Sequence, residues 1–350
     1  MAETFRVAVS SDFIKPDGSP AFPMFDMSPL DAKANLEWNY LESRDGSVSA
    51  EELAGNDALI LLGQRFDRES IPSDGRLAHV ARFGVGYDTV DVTACRENGV
   101  AVTITPDGVR RPVAVSIIAL MLGVTGKMLI KDKLTRQGPE GFAQKINHMG
   151  VGLVGKVLGS VGIGNIGAEM FRLAMPFDMK FMAHDPYADK AVAKELGVEL
   201  VDLETLARES DVLTVNCPYN DETYQIVSAD CIAMMKPTAF LINTSRGPTV
   251  DQKALTKALQ EDKIAGAGLD VFDPEPPEAN DPILQLENVI LSPHGLCWTA
   301  ECFAGIGQAD IDAVFATMVG QEPRGIVDRG ILENADWQGK MAALKGRFGT

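Results

Sequence analysis

Within this 350-residue chain, the stretch 157–167 restricts the fold more than any other. A β-branched, apolar run, 157–163, leads into Gly162, Gly164 and Gly167 in the spacing G-x-G-x-x-G. A helix-like segment, Ala168-Glu-Met-Phe-Arg-Leu-Ala, follows it. Strand, glycine turn and helix in that order open a βαβ unit. The first glycine permits the tight turn, the second lets backbone approach a pyrophosphate, and the third allows close helix–strand packing. Asn165 and Ile166 then begin a helix whose unpaired N–H groups suit phosphate. Asp185 ends the next apolar run, about twenty residues on, where a carboxylate accepts hydrogen bonds from a ribose 2′-OH. The same charge repels a 2′-phosphate, so NAD is expected rather than NADP. A lone match is weak in a chain with 33 glycines, and a structural turn with a helix-capping Asp is the plainer alternative. The flanking strand and helix favour the dinucleotide.

The remaining chain continues the alternation. Strands are expected at 5–10, 33–40 and 58–63, with a helix-like 50–55 between the last two and a loop rich in Pro and Gly at 14–30. This section ends near residue 106. From Arg111 a long apolar helix leads to a loop at 137–152. Strands at 180–185 and 212–217 and a helix at 189–197 then follow the glycine turn, a helix is expected at 304–319, and the tail 334–350 is amphipathic. Strands alternating with helices give an α/β fold, and the length suggests two domains.

Three later apolar runs each end in a charged or titratable group. The run 239–245 ends at Arg246, 264–269 ends at Asp270 with Glu275 just beyond, and 288–293 ends at His294. Ligands of parallel sheets bind outside the carboxyl ends of the strands, so such residues meet in one crevice. His294, between Ser292-Pro293 and Gly295, is by itself an ordinary surface or core histidine. A carboxylate from Glu275, in a loop fixed by prolines, would hold one ring nitrogen and favour the protonated ring. His294 would then serve as general acid for carbonyl reduction and base for alcohol oxidation. Arg246 is either a surface arginine in a turn or a bidentate ligand for a carboxylate that also polarises a carbonyl. Asp270 is either an N-cap or a group that orients the site or the nicotinamide end of the cofactor.

A net charge of −17 argues against nucleic acid and against an anionic membrane surface as partners. It also means that a local cation must capture an anionic substrate. Cys95, Cys217, Cys231, Cys297 and Cys302 form no C-x-x-C pair, which reads as reduced thiols of a cytoplasmic protein. His79, His148 and His184 lie apart from them in sequence, and His294 near Cys297 and Cys302 has no second ligand pair, so no metal is expected. The opening Met-Ala-Glu-Thr-Phe-Arg carries no leader pattern, and the apolar run 112–124 is too short to span a bilayer.

Together these residues resemble the D-isomer-specific, NAD-dependent 2-hydroxyacid dehydrogenase family over about residues 58–300. The resemblance rests on Gly162-Ile-Gly-Asn-Ile-Gly, Asn243-Thr-Ser-Arg-Gly-Pro-Thr-Val-Asp, Gly268-Leu-Asp-Val-Phe-Asp-Pro-Glu-Pro-Pro and Ser292-Pro-His-Gly. Phe83-Gly-Val-Gly-Tyr-Asp resembles the family's carboxylate loop, with amides near Val85 and Gly86 binding the acid. Cys217-Pro218 matches a cofactor-lining turn, joined by Thr244, Asp270 and Gly295. The resemblance implies two Rossmann/flavodoxin-like, doubly wound parallel-sheet domains. A substrate-binding domain, 1–107 with 297–350, holds an inserted NAD-binding domain, 108–296, in a homodimer. Arg246, Glu275 and His294 would be the catalytic set.

The chain also departs from the pattern. Val115 stands where a Glu is expected, Thr89 replaces an Asn, Arg110-Arg111 is unusual, and Cys297-Trp298 follows the histidine in place of small residues. Trp298 and the two arginines are expected to line or flank the pocket and select the acid. The implied reaction is hydride transfer between NAD(H) and a 2-hydroxy or 2-oxo acid. The alternative is a non-catalytic, NADH-responsive binding protein of corepressor type. Formate oxidation, a third possibility in the family, pairs its histidine with glutamine, and Glu275 speaks against it.

Overall fold

The computed structural model describes residues 4–43 and 46–349. Residues 1–3, part of the stretch inspected for a leader, lie outside it. The chain divides into two compact units, Met1–Val109 with Trp298–Thr350, and Arg110–Cys297.

The first unit is built on β1 (Phe5–Val9), β2 (Leu36–Tyr40), β3 (Ala58–Leu61), β4 (His79–Arg82) and β5 (Ala101–Thr103). They form a parallel sheet in the order β2-β1-β3-β4-β5. A parallel strand covered on both faces is apolar throughout, and β3, Ala-Leu-Ile-Leu, is fully buried. The edge strand β2, Leu-Glu-Trp-Asn-Tyr, alternates instead. It starts later than expected because Asn35 takes a left-handed φ of 58°, which breaks the extended run. The C-terminal helix Ala335–Phe348 belongs to this unit. Its Trp337 Nε1–H donates to the Ala78 carbonyl, and the Lys340 ammonium donates to the carbonyls of Leu77, Asn98 and Gly99. His79 is fully buried between Thr103 and Thr317, and burial pushes its pKa down to about 3, so the ring is neutral.

The second unit carries β6 (Val157–Val161), β7 (Lys180–His184), β8 (Val198–Leu200), β9 (Val212–Val215), β10 (Phe240–Asn243), β11 (Gly266–Leu269) and β12 (Val289–Leu291). Their order is β12-β11-β10-β9-β6-β7-β8, all parallel. The chain winds outward from β6 in both directions, so the strand order reverses between β6 and β9. That reversal opens a crevice at the carboxyl ends.

The apolar helix begins at Pro106, ahead of the expected Arg111, and runs to Thr125 with Pro112 inside. Proline suits a first helical position, where no N–H partner is needed. Pro112 forfeits one internal hydrogen bond. Burial of Ala114, Ile117, Leu120, Met121 and Val124 against Leu158, Ile163 and Phe171 offsets that loss. With its first turns included, the helix is long and apolar enough to cross a membrane, contrary to the expectation from 112–124, and half of it is buried inside the protein. The expected loop 137–152 contains the short helix Pro139–Ala143 and a 3-10 turn, Gln144–Asn147. Strand β8 and the helices Leu203–Glu209 and Ala229–Met234 escaped the sequence reading. Both helices had a sequence signal, since the Asp202 and Ser228 side chains accept from the amides of Thr205 and Cys231.

Candidate active site

The glycine turn sits at the strand-order reversal. Gly162 has φ +95°, and a Cβ there would meet the Cys217 nitrogen at 2.9 Å, so residues with side chains are strained at this position. Gly167 packs against the Gly162 carbonyl, where a Cβ would come within 2.6 Å. A Cβ on Gly164, by contrast, would meet no atom within 4 Å. That open face adjoins the N-terminus of the helix Asn165–Ala174, which no side chain caps. It has the shape and polarity that a pyrophosphate needs. Ser160 Oγ donates to the Gly162 carbonyl at 2.6 Å, and Asn216 Nδ2 donates to Ser160 Oγ at 2.8 Å. These two residues brace the turn and were not picked out in the sequence.

Asp185 lies just past β7. Its Oδ2 accepts from the Ile163 amide at 2.9 Å and its Oδ1 from the Tyr187 amide at 2.8 Å. The carboxylate is thereby fixed beside the glycine turn and stays half exposed, with lone pairs left for a ribose diol. Cys217 closes the other side of the crevice. Its carbonyl accepts from Ser245 Oγ, and burial pushes its thiol up to about 11, so it remains neutral. Pro218 is exposed and Thr244 half-buried, both in the same unit. The residues present therefore fit a dinucleotide.

Arg246 is presented by a braced turn after β10. Its carbonyl accepts from Asn243 Nδ2 at 2.9 Å and from Thr249 Oγ1 at 2.6 Å. Asn243 is 1% exposed, so this brace is part of the core. Gly247 packs directly against the Phe272 backbone and leaves no room for a side chain. The Arg246 turn is thus seated on the loop that carries Glu275. Asn243, Thr249 and Gly247 stood in the motif, but their positioning role follows from contacts that spacing does not reveal.

Glu275 Oε1 and His294 Nδ1 are 2.5 Å apart. The Phe272 amide donates to Glu275 Oε2 at 3.3 Å. Burial opposes ionisation of Glu275. The hydrogen bond and charge of His294, the Phe272 amide and the Arg246 charge outweigh it and hold the carboxyl below its usual range. With Nδ1 engaged, Nε2 is the ring nitrogen left to exchange a proton. His294 adopts φ +50°, a conformation that non-glycine residues seldom take and that concentrates at functional sites. Asp270, 4% exposed at the end of β11, holds the turn. Its Oδ1 accepts from the Gly295 amide at 3.0 Å and from the Leu296 amide at 3.2 Å. Its geometry is that of a brace for the histidine turn, and the Gly295 amide is taken up in it.

In the first unit, Gly84 has φ +119° and its amide donates to Thr105 Oγ1 at 3.0 Å. This pins the start of the loop carrying Val85 and Gly86, both half-buried. Trp298 belongs to this unit and is 55% exposed. The arginines expected to line or flank the pocket have a partner in the second unit. Arg111 Nη1 lies 2.6 Å from Glu169 Oε1 in the helix Asn165–Ala174, and Glu169 also feels the charge of Arg110. A nearly buried carboxylate needs a cation, and Arg111 meets that need. Among the described residues no group of three or more His, Cys, Asp or Glu is placed to hold a metal ion.

A family profile described as "D-isomer specific 2-hydroxyacid dehydrogenase, NAD binding domain" matches residues 118–295. A glyoxylate reductase from Korarchaeum cryptofilum is 38% identical over 82% of this chain and 87% of its own length. A D-3-phosphoglycerate dehydrogenase from Archaeoglobus fulgidus is 32% identical over 85% of this chain and 57% of its own length. The solved structure of a 2-hydroxyacid dehydrogenase from Ketogulonicigenium vulgare matches with a TM-score of 0.77 at 30% identity, covering 94% of this chain and 99% of that one.

Proposed function

The chain belongs to the D-isomer-specific 2-hydroxyacid dehydrogenase family, and from that premise we propose how its residues divide the work. It is an oxidoreductase that uses NAD to move a hydride between a 2-hydroxy acid and its 2-oxo acid. None of the relatives reported above supports the non-catalytic alternative. NAD(H), when bound, would supply the hydride-transferring nicotinamide. Arg246 pairs with the substrate carboxylate and polarises the adjacent carbonyl, which a planar, permanently charged guanidinium suits. His294 Nε2 gives the proton to the carbonyl oxygen in reduction and takes it back in oxidation. Glu275 holds Nδ1 and so fixes the orientation of the ring. Val85 and Gly86 offer backbone amides to the carboxylate, and Trp298 touches the rest of the acid.

Gly162, Gly164, Asn165, Ile166 and Gly167 take the pyrophosphate and Asp185 the adenosine ribose. Cys217, Pro218 and Thr244 line the cofactor, and Asp270 and Gly295 complete the nicotinamide end through the histidine turn. In this reading the unit Arg110–Cys297 binds NAD and the other binds substrate.

One observation carries this reading: the 2.5 Å contact between His294 Nδ1 and Glu275 Oε1, with the charge of Arg246 acting on the same carboxylate. The test is NADH oxidation by the purified protein against a panel of 2-oxo acids, followed by His294→Ala and Arg246→Ala. Each substitution is expected to lower kcat/KM by about 10²–10⁴-fold. Near-normal turnover in both variants would refute the assignment.

A homodimer is proposed from an apolar surface in the second unit. Met128, Leu129, Phe142, Ile146, Met149 and Val154 are each more than half exposed, and soluble monomers rarely leave such a patch open. Light scattering on the purified protein tests this. A cytoplasmic location is proposed from the five free cysteines. The helix Pro106–Thr125 is read as a core helix on the strength of its packing in the second unit.

A further inference from the structure

Six aromatic rings form a continuous cluster in the first unit. Phe22 stacks on Phe303 at 4.6 Å with an interplanar angle of 17°. Trp298 stands nearly perpendicular to both, with its ring centroid 5.5 Å from each. Phe83 packs on Phe303 at 5.6 Å, and Phe13 and Phe25 close the cluster behind it. Phe83 and Phe303 are buried, and Phe13 and Phe25 with them, whereas Trp298 leaves over half its surface in solvent. Part of this arrangement has an ordinary explanation. Thr299 caps the helix Ala300–Met318, so Trp298 precedes the cap and Phe303 stands four residues after it. Such a pair is a hydrophobic staple, which fixes the entry of the chain into the helix. A staple accounts for the edge contact with Phe303. It does not account for an indole, the largest of side chains, left more than half in solvent, nor for Phe22 arriving from a distant loop to complete the wall.

We propose that the exposed surface of Trp298, with Phe22 beside it, receives the substituent on C3 of the substrate and selects 2-oxo acids with an aromatic or branched apolar side chain. This rests on the dehydrogenase reading above and goes further by naming the substrate class. Phe83 leads directly into the loop proposed to bind the carboxylate. Val85 is two residues beyond it, at most about 7 Å of extended chain, which is the reach from a carboxylate to the far side of a C3 substituent. Trp298 follows His294 by four residues. The wall consists of uncharged rings, so it welcomes apolar surface and penalises a phosphate or a polyol that would lose its water there. Phe22 also lines an open cleft of about 280 Å³ with Phe13, Pro20, Pro23, Phe25, Met27 and Trp38, so apolar surface continues beyond the wall.

The experiment measures kcat/KM with NADH for phenylpyruvate, 4-methyl-2-oxopentanoate, hydroxypyruvate and glyoxylate, in the protein and in Trp298→Ala and Trp298→Phe. A single methylene in an apolar pocket is worth about 10- to 200-fold in kcat/KM. The unaltered protein is therefore expected to favour phenylpyruvate or 4-methyl-2-oxopentanoate over glyoxylate by at least about tenfold. Trp298→Ala is expected to reduce that ratio about tenfold, and Trp298→Phe to keep most of it. Preference of the unaltered protein for glyoxylate or hydroxypyruvate overturns the inference and leaves the dehydrogenase reading standing. An unchanged ratio in a Trp298→Ala variant of normal Tm overturns it too. Turnover of none of the acids by protein that still binds NADH overturns the dehydrogenase reading itself, and the inference with it.

Discussion

Removing the Asp270 carboxylate probes how the histidine turn is held. In Asp270→Ala the amides of Gly295 and Leu296 lose an acceptor that is 4% exposed. Hydrogen bonds to a charged group contribute about 1.5–3 kcal/mol each, so the pair holds the turn with roughly 3–6 kcal/mol. The turn opposes this with the left-handed conformation of His294, at φ +50°, which costs about 1–2 kcal/mol for a residue with a Cβ. The brace exceeds the strain, and the turn stays put. Without the brace the strain is no longer over-determined. Gly295 and Leu296 are half exposed, so water recovers part of the loss, and the net destabilisation should be about 2–4 kcal/mol. Relaxation of the turn moves the imidazole off its line to the substrate, and a misplacement of about 1 Å costs about 10²-fold in rate.

The assay is steady-state NADH oxidation with the best 2-oxo acid, alongside thermal unfolding. Asp270→Asn is the internal control, since its amide oxygen still accepts from both amides without the charge, and it should fall between the two. A kcat within about threefold of the unaltered protein in Asp270→Ala would refute the brace, whatever happened to Tm.

Glu275→Gln tests the acid limb of stability. Because the Glu275 carboxyl is held below its ordinary value of 4.5, its contribution is complete above that pH and is lost as the pH falls through the lower folded value. The Tm difference from Glu275→Gln should be steady near pH 5 and narrow on acidification; a difference that widens contradicts this. His79 works with the same sign for the opposite reason. The folded ring resists protonation, so stability falls by about 1.4 kcal/mol per pH unit from about pH 6.5 down to about 3. His79→Gln should flatten that slope, and an unaltered slope in denaturant titrations would exclude His79 as its source. Gly162→Ala and Gly164→Ala are the same chemical change with different expected results. Ala at 162 is strained and meets the Cys217 backbone, so Tm falls and NADH binding weakens. Ala at 164 enters open space, so stability stays within about 0.5 kcal/mol while NADH binding still weakens. Equal NADH affinity in Gly164→Ala and the unaltered protein would remove the pyrophosphate from that face.

Features that depend on local chemistry were legible in the chain before any coordinates. Gly162 was readable because a φ near +95° admits little else, and Asp185 because a carboxylate ends the next apolar run. The runs ending at Arg246 and Asp270 were readable because strands buried on both faces are apolar throughout, and the run before His294 because its short edge strand, Val-Ile-Leu, is apolar although only its first residue is buried. Short elements such as β8 were not, since three residues, Val-Glu-Leu, carry too little periodicity to separate a strand from a loop.

What lay beyond the sequence was which of these groups meet. The parallel register Ala267↔Val289 and Leu269↔Leu291 sets the ends of β11 and β12 side by side, so Asp270 reaches the turn after His294. The contact of Glu275 with His294, the pairing of Arg111 with Glu169, and the joining of Phe22, Phe83, Phe303 and Trp298 into one wall have the same origin. Backbone conformation at the glycine turn is a property of a residue and its neighbours, so the sequence determined it there. Partnership between side chains tens or hundreds of residues apart is a property of sheet register and helix packing, and tertiary structure alone decided that.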